Sequence, residues 1–321
     1  MAFTDDSPSP SATATYIASL ARASLVAEAR LTPKPGLVDA VSNGAHTDMD
    51  ITTFLASARA LEPLFVEYVE AGMVCGDATP SELAAEMRAI GIRAEAAMFA
   101  ATDGVNTHKG ANFTFALILG ATGALVSRGH VLPFAPEDTT AMFRLVARMA
   151  EGLLDHDVRE LRQRTQAGDT NLTHGERLLL ERGMQGVRGE AAQGYPLLRS
   201  TVLPYLHEAE PRIAQAASAR EELLRCLVKI MAVLEDTNVV HRGGPDALVD
   251  HRAYCHRLDA AALPYTQLID ALAAYDETLT RRNVSPGGAA DLLSLGIFLG
   301  LLEGLFGVDA LAYETAPTEI Y

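Results

Sequence analysis

Thr79-Pro80-x-Glu82, Pro136, Pro211 and Pro286 each head a stretch whose apolar residues recur every three or four positions. Proline is tolerated in the first turn of a helix, where its missing N–H would be unpaired anyway, so these are start signals. Runs alternating with a period of two are nearly absent, which points away from sheet. The predicted helices run from about Ala12 to Leu31, Thr52 to Ala71, Thr79 to Ala101, Gly110 to Val126 and Pro136 to Leu154. Further ones are a short Glu176–Arg182 piece, Pro211 to about Leu234, two between Pro245 and Arg282, and Pro286 to about Phe306. About ten helices with short connections imply an all-α fold, with residues 12–321 as a single globular multi-helix catalytic domain. Residues 1–11, acidic and rich in Ser and Pro, read as a disordered lead-in without a basic or apolar leader pattern.

Charge narrows the partners. A formal net charge of −15 argues against nucleic acid and against an anionic membrane, both of which need a basic footprint. The longest uncharged apolar run, Ala111 to Val126, falls short of the roughly 20 residues that span a bilayer and reads as a buried helix. Cys75, Cys226 and Cys255 are widely spaced and form no CxxC pair, as expected of reduced thiols in a cytoplasmic protein. Any bound phosphate must be met by local cations, and the only lysines are Lys34, Lys109 and Lys229. Two of these lie in glycine-containing polar loops.

Residues 31–50, LTPKPGLVDAVSNGAHTDMD, form the first such loop. Pro33 and Pro35 hold Lys34 on an extended track. An extended chain from His46 to Asp50 would place His46, Asp48 and Asp50 on one side, where two carboxylates could share a hard cation. Alternatively, Asp48 or Asp50 is the N-cap of the helix that begins near Ile51. The second cluster is GVNTHKG, Gly104 to Gly110: Asn106 or Thr107 caps the apolar helix, and His108 and Lys109 stand beside its positive end. It reads either as an anion site or as an ordinary capped start.

GMQGVRGEAAQGYP, residues 183–196, is read as a glycine loop presenting Arg188 and Glu190 to a phosphate or carboxylate. In EDTNVVHRGG, residues 235–244, Glu235 and Asp236 fall at a predicted helix C-terminus, where the macrodipole disfavours anions, so a cation is expected near Asp236. Asn238 and Arg242 follow in the same turn. In NVSPGGAADL, residues 283–292, Ser285 is expected as N-cap with Pro286 at the first helical position. Gly287 and Gly288 then leave the helix N-terminus open to an anion. Asp291 shares a face with Leu295, Phe298 and Leu302, and Glu28 one with Leu20, Ser24 and Leu31. Each acid is expected to have a raised pKa unless it meets a cation.

In this order, PKPGLVD with GAHTDMD, GVNTHKG, GVRGEAAQGYP, DTNVVHRGG and NVSPGGAADLL resemble the triphosphoribosyl-dephospho-coenzyme A synthase family. The motifs span about residues 28 to 300. Two departures are Ala192-Gln193-Gly194, where the family commonly has alanine-serine-glycine, and the Ser/Pro-rich N-terminal extension. The resemblance implies an all-helical transferase that moves the triphosphoribosyl group of ATP onto 3′-dephospho-CoA and releases adenine. Its product would be the prosthetic-group precursor for the acyl carrier subunit of malonate decarboxylase or citrate lyase, the Ala/Arg-rich composition favouring the former.

For that chemistry Lys34, His46, Asn106, Thr107, Lys109, Arg188, Asn238, Arg242, Ser285, Gly287 and Gly288 are expected to bind the nucleotides. Asp48, Asp50 and Asp236 are expected to hold Mg²⁺, and Glu28, Asp291, His108 and Glu190 to serve as acid or base. An acyl carrier subunit or its transferase as partner, and a homodimer, stay open. Two other readings compete: a metal-dependent hydrolase of nucleotide or ADP-ribose conjugates, and a non-catalytic helical protein that binds an acyl carrier.

Overall fold

The computed structural model describes residues 9–312, and among them there is no strand. Twelve α-helices follow in order: α1 Pro10–Arg30, α2 Ile51–Val74, α3 Pro80–Ala101, α4 Lys109–Ser127, α5 Pro136–Gln166, α6 His174–Arg182, α7 Gly186–Ala192, α8 Leu203–Ala216, α9 Arg220–Val233, α10 Thr237–Ala260, α11 Tyr265–Arg281 and α12 Gly287–Leu302. A π-helical segment, Leu198–Val202, precedes α8, and a 3₁₀ turn, Val308–Leu311, follows α12. The all-α expectation holds, with more helices than the ten read from the sequence.

Helices α4 and α12 are apolar nearly all round and buried accordingly. By length and composition α4 could cross a membrane, yet it lies mostly inside the fold, packed on α2, α3 and α5. Its approach to α2 is close enough that a Cβ on Gly72 would lie 2.1 Å from the Gly120 carbonyl oxygen, and one on Gly123 2.1 Å from that of Val69. Larger residues there would force the two backbones apart. Helix α1 packs on α2 and α12, and α9 on α10 and α12, so one core joins both halves of the chain.

Several boundaries differ from the sequence reading, each for a local reason. Helix α1 starts at Pro10, capped by the Ser9 hydroxyl, so residues 9–11 are ordered; residues 1–8 of the expected lead-in lie outside the described residues. Helix α5 continues to Gln166, past its expected end near Leu154, and Arg164 at its end binds Asp169 and Glu176 at 2.8 and 2.9 Å. Pro211 lies inside α8 rather than heading a helix, and the chain breaks at Ala217, with φ 49°, before α9. The expected glycine loop holds the short helix α7. Helix α10 kinks at Gly244, where φ is 82°.

Candidate active site

The loop between α1 and α2 is built on two carboxylates that the sequence reading passed over. Asp39 accepts the Lys34 N–H at 3.0 Å and the Val41 and Ser42 N–H groups at 2.8 Å each. Asp276 of α11 accepts the Gly36 N–H at 2.8 Å and the Ser42 hydroxyl at 3.0 Å. With the loop so pinned, Lys34 turns inward. It is 1% exposed, and its ammonium pairs with Glu28, itself 3% exposed, at the end of α1. The expected phosphate-facing lysine is therefore spent on a buried acid six residues earlier. Burial raises the Glu28 pKa, while the Lys34 charge and hydrogen bond pull it down.

Asp236 and Asp291 stand near this pair. Asp236 does not end a helix but begins one, because α9 stops at Val233. Its Oδ1 accepts the Asn238 N–H at 2.8 Å, and its Oδ2 accepts the Ala289 N–H at 3.0 Å. One carboxylate thus caps both α10 and α12, and it fills the helix N-terminus that had been read as open to a ligand anion. The unfavourable helix-end charge that suggested a cation at Asp236 does not exist. Burial nonetheless pushes the Asp236 pKa up to about 6 against those hydrogen bonds. Ser285 is not the α12 cap either; Pro286 holds that position.

Asp291, five residues into α12, is driven further. Burial first, then the Asp236 and Glu28 charges, hold its pKa well above the usual carboxylate range, and only the Ala111 N–H opposes them. Unlike Glu28 and Asp236 it is partly exposed. Gly110 makes room for it, since a Cβ there would lie 2.0 Å from Asp291 Oδ2. Beside it sits Tyr195, fully buried, at φ 54° and with its hydroxyl unpaired; the charges of Glu190 and Asp291 both act on this phenol. Glu190 of α7 accepts the Leu197 N–H at 3.1 Å, and burial raises its pKa. Tyr195 was missed in the sequence, although its place between Gly194 and Pro196 was a signal of an unusual turn.

His108 closes this inner group. Its Nδ1 meets the Ser57 hydroxyl at 2.7 Å, and Phe54 packs edge-on against its ring. Burial first, then the Lys34 charge, lower its pKa to about 3, which disfavours the imidazolium form that the expected general-acid role of His108 would use. The α4 N-cap is His108, without a side-chain cap bond, rather than the expected Asn106 or Thr107; Asn106 Oδ1 accepts the Lys109 N–H at 3.2 Å, and the Thr107 hydroxyl finds no partner.

A second, outer group surrounds His46. Arg242 donates to the Ala45 carbonyl at 2.8 Å, to Asn283 Oδ1 at 2.9 Å and to His46 Nδ1 at 3.2 Å. Arginine can only donate, so Nδ1 is the acceptor and Nε2 carries the proton, which it gives to Ser285 Oγ at 2.9 Å. Burial and the Arg242 charge lower the His46 pKa. Ser285 consequently receives a hydrogen bond from the ring, and Asp48 Oδ1 lies 3.6 Å from Nδ1. Arg242, Asn238, Ser285, Gly287 and Gly288 do converge: a Cβ on Gly287 would lie 2.8 Å from Asn238 Nδ2, and one on Gly288 3.0 Å from Asp236 Oδ2. Lys109 pairs with Glu95 at 3.0 Å, and the Arg188 guanidinium lies 4.9 Å over the Phe113 ring.

The metal expectation fares differently. Asp50 is the N-cap of α2, its Oδ1 bonded to the Thr53 N–H at 2.9 Å and the Thr52 hydroxyl at 2.7 Å. Asp48 is largely exposed, and both Asp236 oxygens are taken by backbone N–H groups. Among the described residues no group of three or more His, Cys, Asp or Glu side chains is arranged to hold a metal ion. Asp48, Asp50 and Asp236 do not form a cage for Mg²⁺.

Buried carboxyls with raised pKa beside a neutral histidine suit proton transfer at an otherwise dry centre, and the arginines and glycines around them suit a polyanionic substrate. The ATP:dephospho-CoA triphosphoribosyl transferase family model matches residues 14–309. A Streptococcus mutans protein named probable 2-(5''-triphosphoribosyl)-3'-dephosphocoenzyme-A synthase is 42% identical over 291 residues, covering 89% of this chain and 96% of that protein. A protein of the same name from Streptococcus pyogenes serotype M49 is 41% identical over 300 residues, 91% of this chain and 98% of its own length. No solved structure matches. With nearly its whole length matched and all the motif clusters gathered around one acid centre, the chain belongs to the ATP:dephospho-CoA triphosphoribosyl transferase family, a family of transferases.

Proposed function

We propose that the acid centre transfers the triphosphoribosyl group of ATP to the 2′-hydroxyl of 3′-dephospho-CoA, with Asp291 as general acid and Glu190 as general base. The C1′–N9 bond of ATP breaks with its electron pair going to adenine, and Asp291 supplies the proton that adenine carries away. The 2′-oxygen bonds to C1′ and its proton passes to Glu190; Glu190 then releases that proton to solvent and Asp291 takes one up, which resets both groups. The triphosphate stays intact. Such a glycosyl transfer develops oxocarbenium character at C1′, and two carboxyl groups in different protonation states serve it as they do in glycoside hydrolysis.

One observation carries the assignment. Both pKa values are raised, but Asp291 is driven well above the usual range by burial and two neighbouring acids, whereas Glu190 is raised by burial with no acid among the causes and its Leu197 backbone bond opposing. Glu28 is held by Lys34 and sets the field rather than moving a proton. The Asp48–Asp50–Asp236 set does not fit a resident metal, so we read Mg²⁺ as arriving on the triphosphate, where it keeps phosphate and water ligands. Arg242, Arg188 and Lys109 supply positive charge around the centre. Cys226 and Cys255 are free and buried, which suits a cytoplasmic setting. The product would be the prosthetic-group precursor of an acyl carrier subunit, with malonate decarboxylase preferred over citrate lyase on composition alone.

The test is mass spectrometry of the product from ATP, Mg²⁺ and dephospho-CoA, with adenine release followed in parallel. The triphosphoribosyl adduct with adenine release strictly dependent on dephospho-CoA is the expected result. Adenine released without an acceptor would mark a hydrolase instead, and no release from folded protein would refute the reading.

A further inference from the structure

A groove of about 250 Å³ opens between α3 and α4, walled by Met87, Ile92, Phe113, Ala116, Leu117 and Leu153. Arg88, Glu95 and Arg188 also line it. Helices α4 and α7 link its wall to the acid centre. Glu95 is held by Lys109, the next residue, Gly110, abuts Asp291, and Phe113 lies one helical turn beyond Gly110 on the same face. Arg188, over Phe113, comes from the same short helix as Glu190.

We propose that this groove is the subsite for the pantetheine arm of dephospho-CoA, an inference that rests on the transferase reading above. Three observations select that occupant. Pockets for whole drug-sized ligands run to about 300–1,000 Å³, so this volume fits one limb of a substrate rather than an entire nucleotide. The groove is also poor at reading a purine. Asn112, the one side-chain amide in its wall, already accepts from the Tyr68 hydroxyl at 3.0 Å and donates to the Gly91 carbonyl at 3.4 Å, and the Phe113 ring carries the Arg188 guanidinium. What remains is apolar wall for an aliphatic chain, with guanidinium groups at the edge for the diphosphate that joins the arm to the nucleoside. Dephospho-CoA offers these parts in that order, whereas ATP has no apolar limb.

The experiment compares steady-state kinetics for Ala116→Phe, which fills the groove from α4, and Ile92→Glu, which puts a charge on its wall. Ile92 is 65% exposed, so Ile92→Glu keeps the fold and decides the matter should Ala116→Phe melt early by circular dichroism. KM for dephospho-CoA should rise at least about tenfold while that for ATP stays within about twofold, since blocked or mismatched apolar subsites cost specificity on that scale. With ADP, which has the nucleoside and diphosphate but no arm, as acceptor, both variants should match wild type. A rise in the ATP constant instead, or no change in either constant for both folded variants, would overturn the assignment. Should wild type yield no triphosphoribosyl product, the transferase reading falls first, and calorimetric binding of dephospho-CoA then decides the groove. Weaker binding by the variants supports it, and equal binding overturns it.

Discussion

Asp291 and Glu222 are both carboxyl groups drawn in among packed helices, and the protein drives them in opposite directions. Glu222, 6% exposed, receives Arg212 Nε at 2.8 Å and Nη2 at 3.0 Å, and the Tyr205 hydroxyl at 2.5 Å. Burial alone would raise its pKa, but the Arg212 and Tyr205 hydrogen bonds and the Arg212 and Arg225 charges outweigh it, and the net shift is downward. Asp291 meets two acids and a single N–H, so its pKa is pushed up. An acid that is fully paired is locked as an anion and serves the fold; one left underpaired beside other acids keeps a proton it can give. The proposed assignment of Asp291 to the site and Glu222 to the scaffold rests on this contrast and not on sequence similarity.

The sharpest way to break it is at Asp291 itself. Asp291→Asn should lower kcat by about 10²–10⁴-fold, the usual worth of a general acid, and leave the melting temperature at pH 8 equal or higher, because a repelled carboxyl becomes neutral. Glu190→Gln should cost a comparable factor. The pH profile gives the signs separately. Asp291 must be protonated, so the rate falls as pH rises through its elevated pKa; Glu190 must be ionised, so the rate falls as pH drops below its own. A bell-shaped wild-type profile that loses its acid limb in Glu190→Gln is expected. A wild-type rate that climbs steadily with pH would refute Asp291 as the acid.

Lys34 lies between the two cases, being a full partner within the site. Lys34→Met should destabilise by about 3–5 kcal/mol, since Glu28 would be left as a buried charge without its cation. Adding Glu28→Gln should recover much of that loss in urea denaturation, and strict additivity of the two substitutions would show that the pair is not coupled. On the scaffold side, Arg212→Leu should cost about 1–3 kcal/mol by stranding Glu222, while kcat stays unchanged. A fall in turnover with stability intact would join Glu222 to the site and erase the contrast.

Local rules made the fold class and many helix starts legible. Thr79 and Glu82 form the capping box their spacing announces, and the uncharged run after Gly110 is the buried α4. The clusters with acids, cations and glycines also come together. What the sequence hid was which group meets which. Lys34 reads as a phosphate ligand until Asp39 and Asp276 are seen to turn the loop inward. Asp236 reads as a misplaced helix-end acid because the break after Val233 has neither Gly nor Pro to mark it. The end of that break is extended at Leu234, a backbone state any residue adopts. Pro211 is a start signal in isolation, yet the turns before it pack Leu203, Leu206 and Ala209 into the core, and burial overrides the local signal.

Asp50 gives the smallest test and bears on the same contrast. It is satisfied like Glu222, by the Thr52 hydroxyl first and then the Thr53 backbone and side chain, and its pKa is lowered. Loss of an N-cap side chain costs about 0.5–2 kcal/mol, so Asp50→Ala should lower stability by roughly 1 kcal/mol while Asp50→Ser recovers most of it. Both variants should keep the wild-type Mg²⁺ dependence of adenine release. The two roles diverge at the serine: a hydroxyl caps a helix as well as a carboxylate does but is a poor ligand for a hard cation. Restored stability with a raised Mg²⁺ requirement in Asp50→Ser would therefore return Asp50 to the metal and remove it from the scaffold side of the comparison.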